Sequence, residues 1–99
     1  MVVEAHISLD TIVVRSAGQA SADLGGEAAI LNLTDGVYYG LDKVGARIWD
    51  LIEIPHTVRA VRDALLAEYD VDADRCERDL FALLTELAEH DLLNIVDDA

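Results

Sequence analysis

The sequence has few basic residues, one cysteine and one proline, and these shortages exclude whole classes of protein. Lys and Arg number 7 against 20 Asp and Glu, so the formal net charge is −13. A surface of this sign repels phosphate backbones, which argues against binding to nucleic acid. A single cysteine cannot form an internal disulfide, so the chain is not a disulfide-stapled secreted scaffold.

Long apolar runs are also missing. No run approaches the roughly 18 residues of a membrane span, and no basic segment leads into an apolar one near Met1. We therefore expect a cytoplasmic protein that does not contact the membrane.

Apolar residues are nonetheless abundant. They make up 53% of the 99 residues, which suffices for a core and excludes a disordered acidic tail. We expect one domain over residues 1–99, with its core at about residues 11–96.

Short β-type segments dominate the first forty residues. We predict strands over residues 11–15, 27–33 and 37–41, and a loop over the small, polar residues 16–26. Residues 2–9 alternate weakly and predict an extra strand or an arm.

The turn between the second and third predicted strands decides which side chains face the core. A two-residue turn at Asp35 and Gly36 would pair Leu33 with Tyr38, whereas a three-residue loop with left-handed Gly36 pairs Leu33 with Val37. We prefer the longer loop, because it gathers six apolar side chains on one face. Those six are Ala29, Leu31, Leu33, Val37, Tyr39 and Leu41. The residues then expected outside are Ile30, Asn32, Tyr38 and Gly40.

From residue 42 onward the hydrophobic period is helical. Asp42 is expected to cap a helix through Glu53 with Val44, Ile48, Leu51 and Ile52 on its apolar stripe, and Pro55 ends it. Thr57 caps a second helix to about Tyr69, and a third runs over about residues 74–90. Residues 92–96 form a short apolar tail that is a strand candidate.

The third helix has an unusually wide apolar surface. At about 100° per residue, one arc of about 100° holds Cys76, Leu80, Leu83, Leu84 and Leu87. Phe81 and Ala88 widen it to about 160°. The extra apolar width predicts a second contact along one margin of the third helix. The alternative is that a small domain simply buries more of this helix in its own core.

No set of residues points to catalysis or to a metal. His6, His56 and His90 lie in three different elements, and Cys76 lies on an apolar stripe, as expected for a small buried side chain. We therefore expect no catalytic residue.

The acidic triplet Asp70, Asp72 and Asp74 resembles the start of a calcium loop. Arg75 and Phe81 stand where such a loop needs Gly and Glu, so the triplet is better explained as a helix start. We expect no metal and no cofactor.

An unprotected strand edge remains. Residues 37–41 are uncharged and β-prone, without the Lys, Pro or bulge that usually protects an edge. They favour strand addition by an extended peptide, the alternative being that the first strand covers this edge.

These residues resemble the signature of PqqD-like proteins, the peptide-recognition elements of ribosomal-peptide biosynthesis. The resemblance rests on residues 34–42 (TDGVYYGLD), 45–49 (GARIW), 64–71 (ALLAEYDV) and 79–93, and covers about residues 27–93. The hairpin and Trp49 are most similar to stand-alone members from lasso-peptide clusters. Asp91 departs from the usual capping glycine, and residues 53–56 replace a glycine-containing link.

The resemblance implies an α+β, winged helix-turn-helix-like fold, with a three-stranded antiparallel sheet followed by a three-helix bundle. It implies a non-catalytic adaptor that binds the leader segment of a precursor peptide between the third strand and the third helix. The adaptor presents the precursor to a leader peptidase and a cyclase.

The residues expected to bind the peptide come from that strand and one margin of that helix, which we prefer to the margin with Phe81 and Ala88. They are Val37, Tyr38, Tyr39, Gly40, Leu41, Cys76, Asp79, Leu80 and Leu83.

Three alternatives remain open at this stage. The chain could be a PqqD-like chaperone for quinone-cofactor or other peptide maturation, or a winged-helix regulator. It could also be a subunit that forms a homodimer through the edge of the third strand or through the N-terminal arm. The regulator is disfavoured because helix three offers only Arg75 and Arg78 as cations among its acidic residues.

Overall fold

The computed structural model describes residues 7–96, which form two small antiparallel sheets and three helices. The predicted strand or arm over residues 2–9 falls largely outside this range. In chain order the elements are β1 (Ile12–Arg15), β2 (Gln19–Asp23), β3 (Ala28–Asn32), β4 (Tyr38–Leu41), α1 (Lys43–Leu51), β5 (His56–Thr57), α2 (Val58–Glu68), α3 (Ala73–Glu89) and β6 (Leu93–Val96).

The predicted sheet is present, but one of its strands comes from an unexpected segment. β2, β3 and β4 form a three-stranded antiparallel sheet in that order, with β3 in the centre. The prediction of a loop over residues 16–26 was therefore wrong, since β2 lies within it. β1 belongs to a second sheet, between β5 and β6, so it does not cover the outer edge of β4.

The β2–β3 hairpin is formed by its turn rather than by strand propensity. Gly25 and Gly26 both have positive φ, 74° and 100°, and the Leu24 amide donates to the Glu27 carbonyl at 2.8 Å. Two central residues of positive φ define the turn whose twist matches that of a hairpin. The Asp23 carboxylate also accepts from the amides of both glycines, which fixes the turn.

The register between β3 and β4 differs from the predicted one by one residue. Ala28 pairs with Leu41 and Ile30 with Tyr39, so the loop has four residues, 33–36. Gly36 is left-handed as predicted, with φ 73°. A one-residue shift moves each β3 side chain to the other face. Ile30 and Asn32 are therefore buried, not exposed as predicted, while Leu33 is exposed.

The helices begin where the sequence indicates. Asp42, Thr57 and Asp72 accept hydrogen bonds from amides of the first turns of α1, α2 and α3. The first helix ends at Leu51, two residues earlier than predicted, and Val44 on it is 40% exposed rather than part of the core stripe.

The core lies between the helices and the inner faces of both sheets. Trp49, Ile52, Leu65, Leu80 and Leu84 are almost fully buried in it. The Arg15 guanidinium lies 4.7 Å from the centre of the Trp49 ring, and its Nε donates to the Trp49 carbonyl. This contact joins β1 to α1.

The end of α3 uses aspartate where a glycine is usual. Asp91 has φ 59°, its amide donates to the Ala88 carbonyl, and the next amide, of Leu92, donates to the Leu87 carbonyl. This pair of bonds is the Schellman motif. It turns the chain sharply into β6.

Candidate functional site

The outer edge of β4 is unpaired within the part of the chain that the structure describes. The Asn32 amide donates to the Val37 carbonyl at 3.0 Å, which fixes the alternation of hydrogen-bonded pairs along the two strands. Tyr39 and Leu41 therefore direct their main-chain groups to β3. Tyr38 and Gly40 direct their N–H and C=O groups away from the sheet.

A groove of about 550 Å³ lies beside this edge. β4 forms one wall, and α1, the end of α2 and the first half of α3 form the others. Only three of its fourteen lining residues are charged: Asp42, Arg75 and Asp79. The apolar lining includes Leu41, Val44, Ile48, Val71, Leu80 and Leu83. The groove therefore offers apolar pockets next to a free strand edge.

The nine residues predicted from the sequence fall into two groups. Gly40, Leu41, Cys76, Asp79, Leu80 and Leu83 line the groove. The rest of the predicted strand does not line the groove; it consists of Val37, Tyr38 and Tyr39, of which Tyr38 is 71% exposed. Phe81 and Ala88 are not among the groove residues, so this groove lies on the preferred margin of α3. That these nine residues contact a peptide stays a prediction.

Sequence reasoning did not identify the contributions of α1 and of the α2–α3 connection. Val44, Ile48, Tyr69 and Val71 line the groove without having been predicted as site residues. Val44 was assigned to the core, and Tyr69 and Val71 flank a helix end that gave no periodic signal. The exposed fractions of Val44 and Val71, 40% and 46%, result from their position at the groove.

One ion pair lies on the α3 wall. Arg75 Nε and Asp79 Oδ2 are 3.7 Å apart, and both side chains are mostly exposed. A pair this exposed contributes little to stability. Asp42 is already engaged as the α1 cap, so Asp79 is the carboxylate in the groove best placed to accept a hydrogen bond from a ligand.

Two contacts hold the β3–β4 hairpin against the end of α3. The Tyr39 and His90 rings are 4.6 Å apart between centroids and tilted by 40°. Burial, with the charges of Asp35 and Glu86, raises the pKa of the Tyr39 phenol, which stays neutral at physiological pH. The Asn32 side chain donates to the His90 carbonyl. These two contacts fix the position of the hairpin relative to α3.

The thiol that lines the groove is not activated as a nucleophile. Burial, with the charges of Asp79 and Glu77, raises the pKa of the Cys76 thiol, so the thiolate that a nucleophile requires is suppressed at neutral pH. Among residues 7–96 no group of three or more His, Cys, Asp or Glu side chains is arranged to hold a metal ion. No helix in the same range is long and apolar enough to cross a bilayer.

A second groove, of about 610 Å³, lies between β2 and α1. Seven of its fifteen lining residues are charged, and both signs are present. An apolar peptide side chain bound there would displace water from these charged groups, which costs free energy. The apolar groove beside β4 is therefore the better candidate for a peptide site.

Two solved structures are similar to this chain over most of its length. TbiB1 in complex with the TbiA(beta) leader peptide is 41% identical, covers 86% of this chain and 99% of its own, and superposes with a TM-score of 0.78. A lasso peptide synthetase B1 complexed with the leader peptide is 26% identical, covers 83% and 96%, and gives a TM-score of 0.73. No curated protein sequence matches the chain significantly.

The sequence profile of one family, described as coenzyme PQQ synthesis protein D, matches residues 27–93. These residues include the β3–β4 hairpin, all three helices and every side chain that lines the apolar groove. The chain belongs to the PqqD family.

Proposed function

We propose that this protein is a non-catalytic adaptor for the leader segment of a ribosomally made precursor peptide, of the lasso-peptide type. The leader adds as a strand to the outer edge of β4 and places apolar side chains in the adjacent groove. Support comes from the two similar proteins, both solved with a leader peptide bound.

The observation that carries the proposal is the direction of the main-chain groups on β4. Tyr38 and Gly40 present two N–H and two C=O groups to the side on which the apolar groove opens. Each main-chain hydrogen bond to an added strand contributes about 1 kcal/mol net. Four such bonds are too few for tight binding, so apolar side chains in the groove supply the rest.

The adaptor works by holding the precursor for other enzymes. A leader peptidase and a cyclase are the partners that this role requires, and the cytoplasm, where a ribosomal product is released, is the fitting location. We also propose that the fold is winged-helix-like and that residues 1–99 form a single domain. DNA binding is disfavoured, because the α3 surface carries Arg75 and Arg78 among a larger number of acidic residues.

The decisive test is a substitution at Gly40. Proline there removes an outward N–H and leaves the bonds to β3 intact, which edge strands tolerate. Alanine is the matched control, because a Cβ at this position meets no atom within 4 Å and the amide is kept. We expect at least a 10-fold loss of leader affinity for Gly40→Pro and no loss for Gly40→Ala. The ligand is a synthetic peptide with the sequence of the precursor's leader. Its affinity for each variant is measured by isothermal titration calorimetry.

Tyr39→Pro is a poorer test, because the Tyr39 amide faces β3 and its loss would break the hairpin itself. Tyr38→Pro provides the second outward position, and denaturation curves verify that each variant is folded. Unchanged leader affinity in folded Gly40→Pro and Tyr38→Pro variants would refute strand addition at β4.

A further inference from the structure

β2 presents a second unpaired strand edge within residues 7–96, on the opposite side of its sheet from β4. The Leu24 amide donates to the Glu27 carbonyl at 2.8 Å, which fixes the alternation of hydrogen-bonded pairs along β2 and β3. Ala20 and Ala22 therefore direct their main-chain groups to β3. The residues whose N–H and C=O groups point away from the sheet are Gln19, Ser21 and Asp23.

The side chains of β2 are exposed on both faces of the sheet. Residues 20–23 are all exposed, including Ser21 and Asp23 on the face that is turned toward the helices. The cause is the second groove, of about 610 Å³, which separates this end of the sheet from α1. Lys43, Arg47 and Asp50 of α1 line it. A strand added to β2 places alternate side chains beside this charged groove, so polar side chains fit there and apolar ones do not.

The sequence of β2 identifies a second copy of this chain as a strand that fits. β2 reads Gln-Ala-Ser-Ala-Asp, so in an antiparallel pair centred on Ser21 each Gln19 faces the Asp23 of the other copy. The Gln19 amide donates an N–H and the Asp23 carboxylate accepts it. One N–H of that amide and one oxygen of that carboxylate are engaged within the chain, which leaves one of each for the other copy. The outward groups come from the same three residues on both strands, so three hydrogen-bonded pairs form, with two main-chain bonds each.

The size and charge of such an interface make it weak. A pair of five-residue strands buries well under the area of about 800 Å² per partner that is typical of a stable complex. Each copy carries a charge of −13, which opposes association and which salt screens. We therefore expect a reversible dimer with a Kd on the order of 0.1 mM, which becomes tighter as the salt concentration rises.

We propose that two copies of this protein pair through β2 into a continuous six-stranded antiparallel sheet. This dimer differs from one through the third predicted strand, which would occupy the leader edge. The two β4 strands form the outer edges of the joined sheet, so both leader sites stay open. The inference goes beyond the proposed function, because pairing through β2 needs no leader.

Substitutions at Ser21 test the pairing by sedimentation equilibrium, at about 1 mM protein and about 0.5 M NaCl. Ser21→Pro removes an outward N–H and keeps the bonds to β3, whereas Ser21→Ala keeps the amide. We expect Ser21→Ala to dimerise like the parent and Ser21→Pro to dimerise at least about 10-fold more weakly. Ser21→Lys should dimerise as weakly as Ser21→Pro, because the two Lys side chains face each other directly. Asn94→Lys has the same charge change on the exposed surface of the other sheet and should dimerise no more weakly than the parent.

A parent that stays monomeric under these conditions would overturn the inference, and so would equal dimerisation of the parent and the Ser21→Lys protein. Ser21→Lys decides the question if Ser21→Pro does not fold, because the side chain at this position is exposed. Saturating leader should leave the dimer intact, and a dimer that the leader dissociates would pair through β4 instead, against the inference. Failure of the proposed function gives a different result, because a chain that binds no leader still pairs through β2.

Discussion

The side-chain Nδ2 of Asn32 donates to the main-chain carbonyl of His90 at 2.9 Å, joining the β3–β4 hairpin to the end of α3. The Asn32 Oδ1 atom accepts from the Thr34 amide at 2.8 Å. One buried amide thus shapes the loop before β4 and holds that loop against the helix.

Removal of this amide should weaken both the fold and leader binding. For Asn32→Ala we expect the free energy of unfolding to fall by about 1–3 kcal/mol, because two hydrogen bonds of the buried Asn32 side chain, each contributing about 0.5–1.5 kcal/mol net, are lost. Leader affinity should fall as well, since the hairpin that carries β4 loses a hydrogen bond to the end of α3. Urea denaturation and leader titration measure the two effects.

The exposed neighbour Thr34 provides the control. Thr34→Ala keeps the main-chain amide that Asn32 binds, so stability should change by less than about 0.5 kcal/mol. Asn32→Asp keeps the acceptor and loses the donor, and should destabilise the protein as well. A stable Asn32→Ala variant with normal leader affinity would show that this bond does not position β4.

Asp91 is expected to cost the protein stability. An L-residue in the left-handed region is strained, and a carboxylate at a helix C-terminus opposes the helix dipole. We expect Asp91→Gly to raise the free energy of unfolding by about 0.5–1 kcal/mol, and Asp91→Asn by less.

Thermal and urea denaturation test this expectation, with leader affinity as the internal control. Asp91 is not among the groove residues, so affinity should not change. An Asp91→Gly variant no more stable than the parent would mean that the carboxylate makes a compensating contact.

The two margins of α3 can be compared by truncation. Leu83→Ala and Asp79→Ala should lower leader affinity with little loss of stability, because Leu83 is only partly buried and Asp79 is exposed. Phe81→Ala should leave affinity unchanged. Leu80→Ala should cost about 2–5 kcal/mol of stability, because its side chain is almost fully buried.

Thermal melts and leader titrations on the four variants separate these outcomes. Normal binding by Leu83→Ala and Asp79→Ala together with weak binding by Phe81→Ala would place the leader on the other margin. Normal leader binding by Leu83→Ala, Asp79→Ala and Phe81→Ala alike would exclude α3 from the site.

Cys76 reports on occupancy of the groove. Its pKa is raised in the folded protein, so less thiolate is present at pH 8 than in the unfolded chain. Iodoacetamide should label the folded protein more slowly than the urea-unfolded one, and labelling should accelerate as the pH rises through the elevated pKa.

Saturating leader should slow this labelling further, because Cys76 lines the groove. A folded rate equal to the unfolded rate would contradict the burial of the thiol. A leader that binds without protecting Cys76 would place the peptide elsewhere.

The helices were predictable because their signals are local. Asp42 and Thr57 cap the first turns, and Pro55 lies just beyond the end of α1. Each signal acts within a few residues, so it needs no knowledge of the tertiary structure.

The sheets depend on partners that local sequence does not reveal. β2 consists of small and polar residues, and it is a strand because the Gly25–Gly26 turn returns the chain onto it; that glycine pair was the available signal. The register was misassigned because the predicted one gathers six apolar side chains on one face and leaves the polar Asn32 outside, whereas the hydrogen bonds of Asn32 allow it to be buried. The strand edge was recognised from composition, but the groove also needed α1 and the α2–α3 connection, which only the fold brings together.

The position of β1 has a consequence for how the chain folds. Arg15 pairs with Leu93, a separation of 78 residues (93 − 15), while the β2–β3–β4 sheet closes within a short segment. Distant pairing costs more loop entropy and forms later. The hairpin that bears the candidate site can therefore form on a nascent chain. β1 can pair with β6 only after residues 93–96 have been synthesised and have left the ribosome. A chain truncated before residue 93 would keep the hairpin sequence and lose the pairing of β1 with β6.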